Sequence, residues 1–141
     1  MESRRTMDFG SGFYTTQSER QASDWARTVV RRRRSGSPTV TEYDYAESED
    51  LRILVFDGPT EEWLDFVSAN RIGSHIHDYD IVLGPVADEG VYATLMGYFD
   101  GLYTREQTVT RLKACKLDGQ VLFHTDRSLD RLRYIRDWEV D

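Results

Sequence analysis

The sequence predicts a mixed α+β domain built around one core. Short apolar or alternating runs read as strands, and longer stretches with three-to-four spacing read as helices. Helices are interposed between strands that cluster toward the C-terminus. The 141 residues are 39% hydrophobic and 30% charged, a globular balance. A chain of this length buries roughly two thirds of its unfolded surface.

Residues 1–7 are polar and are expected to form a disordered or partial N-terminal segment, with the domain over 8–141. "FYTT" (13–16) is aromatic and then β-branched, a short strand entered through a glycine turn. Ser18 to about Arg34 reads as a helix. Thr16 or Ser18 caps it, Glu19 falls in its first turn, and arginines lie at its C-terminal end, where the helix dipole favours them. Ala22, Trp25, Ala26, Val29 and Val30 define its packing face, and "SGSP" (35–38) stops it. "TVTEYDY" (39–45) alternates as a half-buried strand, and "LRILVFD" (51–57) reads as a more buried one. "TEEWLDFVSANR" (60–71) is an amphipathic helix capped by Thr60, with Trp63, Leu64 and Val67 on one face. "YDIVLGP" (79–85) is a buried strand ended by Gly84 and Pro85. Two helices, 88–100 and 104–114, flank Gly101, with Asp88 as a cap. "GQVLFHT" (119–125), "RSLDRL" (127–132) and "RYIRDWEV" (133–140) read as strand, helical turn and strand.

The net charge is −7, unevenly spread: "RRRR" (31–34) is basic and "EYDYAESED" (42–50) is acidic. Such a chain is a poor general binder of nucleic acid, since phosphate contacts need local positive charge. The arginine run is either a solvated helix end or a local footprint for an anion. Cys115 is the only cysteine, so no intrachain disulfide forms, and a cytoplasmic location is the expectation. No apolar run reaches the ~18 residues of a membrane span. "MESRRTM" lacks the apolar segment of a secretory signal.

The segment "DFGSGFYTTQSERQASDWA" (8–26) raises the functional question. Glycine before an aromatic permits a positive φ or close backbone approach. Gly10 and Gly12 do not form a dinucleotide G-x-G-x-x-G, because no third glycine follows and no strand precedes.

This segment resembles the nicotinamide-binding segment of ADP-ribosyltransferases of the diphtheria-toxin and poly(ADP-ribose) polymerase branch. There, FG-x-G precedes a tyrosine, and a second aromatic stands eleven residues on. The resemblance implies an ADP-ribosyltransferase-like split β-sheet core with peripheral helices. It implies Tyr14 and Trp25 clamping the nicotinamide of NAD, and Gly10, Gly12, Phe13 and Thr15 beside the cofactor. An aromatic sandwich suits a flat cation by stacking and cation–π attraction. "GQVLFHTDRSLDRLRYI" is similar to the branch's C-terminal catalytic segment, with Gln120 at the position of its glutamate. More narrowly, "DFGSGFYTT", "EEWLDFVSANR", "DYDIVLGPVAD" and "GQVLFHTDRSLDRL" resemble hallmarks of a bacterial family known as domain of unknown function 3990, over residues 8–136. Implied are NAD as substrate, a macromolecular acceptor (protein or nucleic acid) or simple NAD hydrolysis, and a role as a toxin or phage-defence effector with an antitoxin or neighbouring protein as partner. The branch's His-Gly strand upstream of FG-x-G has no counterpart: the residues before Asp8 hold no histidine, so the expected sheet lacks that first strand or dispenses with it. Gln120 hydrogen-bonds a ribose but supplies no negative charge. Asp118, Asp88 and Asp126 stand as alternative carboxylates. A degenerate, non-catalytic NAD-binding or partner-binding domain of the same fold is the second expectation.

"SHIHDYD" (74–80) sets His75 and His77 two apart, a metal pair if both rings face one way, or a loop leading into the next strand. Cys115 has no placeable histidine partner and reads as a buried hydrophobe.

Overall fold

The computed structural model describes residues 9–72, 77–85, 89–114 and 119–141. The expectations for residues 1–7 and for His75, Asp88, Cys115 and Asp118 lie outside the described residues. In chain order the elements are β1 (Phe13–Thr15), α1 (Glu19–Arg33), β2 (Thr39–Tyr45), β3 (Ile53–Val55), α2 (Glu61–Ile72), β4 (Ile81–Pro85), α3 (Glu89–Phe99), α4 (Arg105–Lys113), β5 (Gly119–Phe123), α5 (Asp126–Leu129) and β6 (Leu132–Glu139). The architecture is mixed α+β, with two small sheets among the described residues. One has the order β1-β5-β4-β3, and the other pairs β2 with β6. β5 runs antiparallel to both neighbours, whereas β3 and β4 are parallel, joined by α2 as the crossover such a pair needs.

Strand register sorts the side chains. Tyr14, Leu122, Val82 and Leu54 stand in one row across the four-stranded sheet. That row faces a core of Phe9 with Trp63, Leu64 and Val67 of α2, Val91 and Leu95 of α3, and Val109 and Leu112 of α4. The next row, Phe13, Phe123, Ile81 and Ile53, faces the other way. There the second sheet meets it: Tyr43 packs edge-on to Phe13 at 5.7 Å, and Tyr45 lies 5.8 Å from Phe123. Helices, sheet and second sheet thus form three layers.

The expected helix faces hold for α2, where Trp63, Leu64 and Val67 are fully buried and Thr60 Oγ1 accepts from the Trp63 N–H at 3.2 Å. In α1 the packing face is rotated from the expected one. Its buried residue is Ser23, while Trp25 is 59% exposed. Two residues are about 200° round a helix, so a chain that buries Ser23 against its own body must turn Trp25 outward. β3 also differs from expectation. It is an edge strand, and only Leu54 reaches the core while Ile53 and Val55 remain exposed.

α1 begins at Ser18, whose Oγ accepts from the Gln21 N–H, and closes at Arg34, a left-handed residue (φ 57°) whose N–H bonds the Val30 carbonyl at 2.7 Å. It packs along β2, and Arg27 Nε donates to the Asp141 carbonyl at 2.7 Å.

The two sheets are joined by the segments 46–52 and 124–131, which run together. Asp80, 3% exposed at the start of β4, sits between them. Its carboxylate accepts from the Arg52 N–H (2.8 Å), Thr125 Oγ1 (2.6 Å), and Arg127 Nε and Nη2 (3.2 and 2.8 Å). Arg127 also donates to the Asp50 carbonyl, and Arg131 to those of Ala46 and Glu47. The hydrogen bonds from Arg127, with those from Thr125 and Arg52, hold the Asp80 carboxyl well below the usual carboxylate range, against the opposing effect of burial.

A group with a depressed folded pKa contributes stability above its unfolded pKa and loses it as pH falls below that value. Wild-type stability should therefore decline below about pH 4, where an unfolded aspartate takes up its proton. Asp80→Asn should cost about 1–3 kcal/mol at pH 7 and flatten the acid decline, read by urea denaturation across pH. An unchanged acid limb in the variant would remove Asp80 from this role. Arg34→Gly should stabilise the chain by about 1 kcal/mol in the same assay, since only glycine adopts a left-handed cap freely.

Candidate functional site

A cleft of about 550 Å³ opens beyond the C-terminal ends of β3 and β4, bounded by the start of β5 and the β1–α1 turn. Clefts of this volume hold small ligands, and in open sheets ligands collect outside the carboxyl ends of parallel strands. Its polar lining includes Gln120, Thr16, Ser18, Gln21 and Asp57. Gln120 stands in register with Gly84. The absent side chain matters there: a Cβ on Gly84 would meet Phe56 at 3.1 Å and Phe9 at 3.2 Å. The end of β4 is fixed from below by Trp63 Nε1, which donates to the Pro85 carbonyl at 3.0 Å. In the β1–α1 turn, Thr16 Oγ1 accepts from the Ser18 N–H (3.1 Å) and donates to Gln21 Oε1 (2.9 Å). The first turn of α1 thus borders the cleft, with the partial positive charge of unpaired N–H groups. Among the described residues Asp57 is the one charged side chain in the lining. The described set is rich in amide and hydroxyl groups and includes a carboxylate, suited to a hydroxylated ligand that carries or develops positive charge.

Of the residues expected at a cofactor, only Gln120 lines this cleft. Tyr14 packs against the core, and its hydroxyl donates to the Gly10 carbonyl while accepting from the Phe9 N–H at 3.1 Å. Trp25 lies outside, with the Arg32 guanidinium 5.6 Å from its ring. The structure does not bring Tyr14 and Trp25 together as a clamp, because one points into the core and the other into solvent. Phe13 meets Tyr43 between the sheets, and Thr15 Oγ1 donates to the Val121 carbonyl at 3.0 Å. Asp126 begins α5 beyond the far end of β5, away from Gln120.

The glycines have a structural use. At Gly12 (φ 141°) a Cβ would lie 2.5 Å from the Phe123 carbonyl oxygen and 2.7 Å from Leu122 Cδ1. The close approach that the motif permits is thus made to β5. Gly10 (φ 93°) sits against His77, where a Cβ would come within 3.3 Å of Nε2.

Two imidazoles fasten this turn. His77 Nε2 bonds the Phe9 carbonyl at 2.7 Å, and His124 Nδ1 bonds the Ser11 carbonyl at 2.6 Å, with ring centroids 4.3 Å apart. A carbonyl only accepts, so both of these nitrogens carry hydrogen. His77 Nδ1 accepts from the Tyr79 N–H at 3.2 Å, which makes that ring neutral and engages both its nitrogens. His77 therefore serves the turn with both ring nitrogens, and its pairing with His75 lies outside the described residues.

Asp57 escaped the sequence reading. The available signal was its place directly after an apolar strand and before Gly58-Pro59, where a strand's carboxyl end turns away.

Gly12→Ala should destabilise the chain by about 2 kcal/mol or more, since backbone and strain leave the methyl no room. Tyr14→Phe should cost about 1–2 kcal/mol by removing the tie to Phe9 and Gly10. Both are read by thermal and urea denaturation, and a neutral Gly12→Ala would contradict the close β5 approach.

No curated protein and no solved structure matches the chain. A family model described as "Protein of unknown function (DUF3990)" matches residues 1–134. The chain, with its glycine turn closed onto β5 and its cleft at Gln120, belongs to that family.

Proposed function

We propose that the cleft at Gln120 binds NAD and that the protein is an ADP-ribosyltransferase-like enzyme acting on a macromolecule or on water. The observation that carries this reading is the sharing of one cleft by Gln120 and the first turn of α1. Gln120 offers the ribose a donor and an acceptor, and the α1 N-terminus favours the anionic side of a dinucleotide. In the transfer, the bond from ribose C1′ to the nicotinamide nitrogen breaks and its electron pair leaves with nicotinamide. A nucleophile bonds C1′ and yields its proton to water. Positive charge builds on the sugar, and Gln120 cannot oppose it. Asp57 supplies a carboxylate, the one in the lining among the described residues.

A second reading, a binding module without catalysis, is favoured by the positions of Tyr14 and Trp25, which leave the ring of a bound nicotinamide without its aromatic clamp.

Calorimetry with NAD, together with nicotinamide release and label transfer from labelled NAD in a lysate, separates the two. The enzyme reading expects release in the wild type, cut about 10–100-fold by Asp57→Asn and about tenfold by Gln120→Ala. NAD binding without release would leave the second reading as an NAD-binding module, and absence of both would sink the enzyme reading and leave partner binding alone.

A further inference from the structure

We propose that the C-terminal end of α1 is a docking surface for single-stranded nucleic acid. Residues 19–34 hold six arginines against two carboxylates, in a chain whose net charge is −7. Arg27 of this stretch pairs with Asp24, and elsewhere five arginines are matched with carboxylates: Arg52 with Asp78, Arg105 with Glu61 and Asp65, Arg127 with Asp80, Arg133 with Asp44 and Arg136 with Glu42. Arg31, Arg33 and Arg34 are exposed and pair with no carboxylate among the described residues. Arg31 reaches only its helix neighbour Thr28, at 3.2 Å. With 25 acidic residues in the chain, Arg31, Arg33 and Arg34 stand apart from these pairs, and their complement is a polyanion.

Trp25 decides which polyanion. Its indole is 59% exposed on the same helix, seven residues before Arg32, whose guanidinium lies 5.6 Å from the ring. Seven residues are two turns, so the two side chains share a side. An exposed indole backed by an arginine is a platform on which unpaired bases stack, while neighbouring arginines take the phosphates. An acidic peptide would use the arginines and leave the indole idle. A duplex keeps its base faces hidden. The arginines lie at the opposite end of α1 from the cleft, about 20 Å along the helix, with Trp25 about midway between. Its binding requires nothing of the NAD reading.

The test is fluorescence anisotropy with the full chain, without NAD, using a labelled single-stranded oligonucleotide of about 12 nucleotides at several salt concentrations. A duplex of the same sequence and polyglutamate serve as competitors. Binding should weaken with salt, and Arg31→Ser with Arg33→Ser should reduce affinity at least about tenfold and lower the salt slope by about 0.7 per arginine. Trp25→Ala should cost about tenfold with the slope unchanged. Arg34→Gly should weaken binding while raising the melting temperature, which separates lost contact from lost folding. The proposal fails if the wild type does not bind at low salt. It also fails if duplex or polyglutamate competes as well as the single strand, or if Trp25→Ala binds like wild type.

Discussion

The carboxylate of Asp80 is the constraint on which the arrangement of the two sheets depends. The chain passes between sheets three times, after β1 through α1, after β2 and after β5, and the last two passages meet at this one side chain. A buried carboxylate is costly unless its lone pairs are answered. Here the donors come from the approach to β3, from the cap of α5 and from Arg127, so satisfying the charge and fixing the passages are the same event. Arg127 is largely exposed, so the strength lies in the convergence of hydrogen bonds rather than in the ion pair alone. Hydrophobic contact between Tyr43, Tyr45 and the outer face of the four-stranded sheet then sets the spacing of the layers.

The glycine turn shows how one motif admits two uses. Two glycines ahead of an aromatic pair are what a backbone needs to approach something closely, and the sequence leaves open whether that is a ligand or another strand. Here it is β5, with His77, His124 and the Tyr14 hydroxyl closing the turn from three sides. The cleft begins only after β1, where Thr16 and Ser18 turn the chain into α1.

Much of the element order was legible because local signals and tertiary demands agree. Thr60 before an apolar face, the Gly84-Pro85 strand end and the glycine between α3 and α4 each act within a few residues. The orientation of Trp25 was not legible. Its three-to-four spacing with Ala22 and Val29 fits a packing face, but the choice of face belongs to β2, which packs against α1. The exposure of β3 was hidden for a related reason: an apolar strand reads alike at the edge and at the centre of a sheet. Asp57 was invisible because the cleft gathers residues from four separate stretches, and spacing along the chain carries no record of that meeting. Gln120 was singled out only through likeness to known transferases, and of the residues so named it alone lies in the cleft.

The pairing of β1 with β5 also has a consequence in time. Thr15 and its β5 partner Val121 are 106 residues apart, so at a synthesis rate of 5–20 residues per second β1 waits roughly 5–20 seconds for its neighbour. Until then the turn around Phe9 lacks β5 and His124, although α2, β4 and His77 have already emerged. β1 is thus made before the other described strands and placed only when β5 arrives, shortly before β2 finds β6. A nascent chain stalled before residue 119 would carry an unpaired β1 and a half-closed glycine turn, a natural target for a chaperone or for proteolysis.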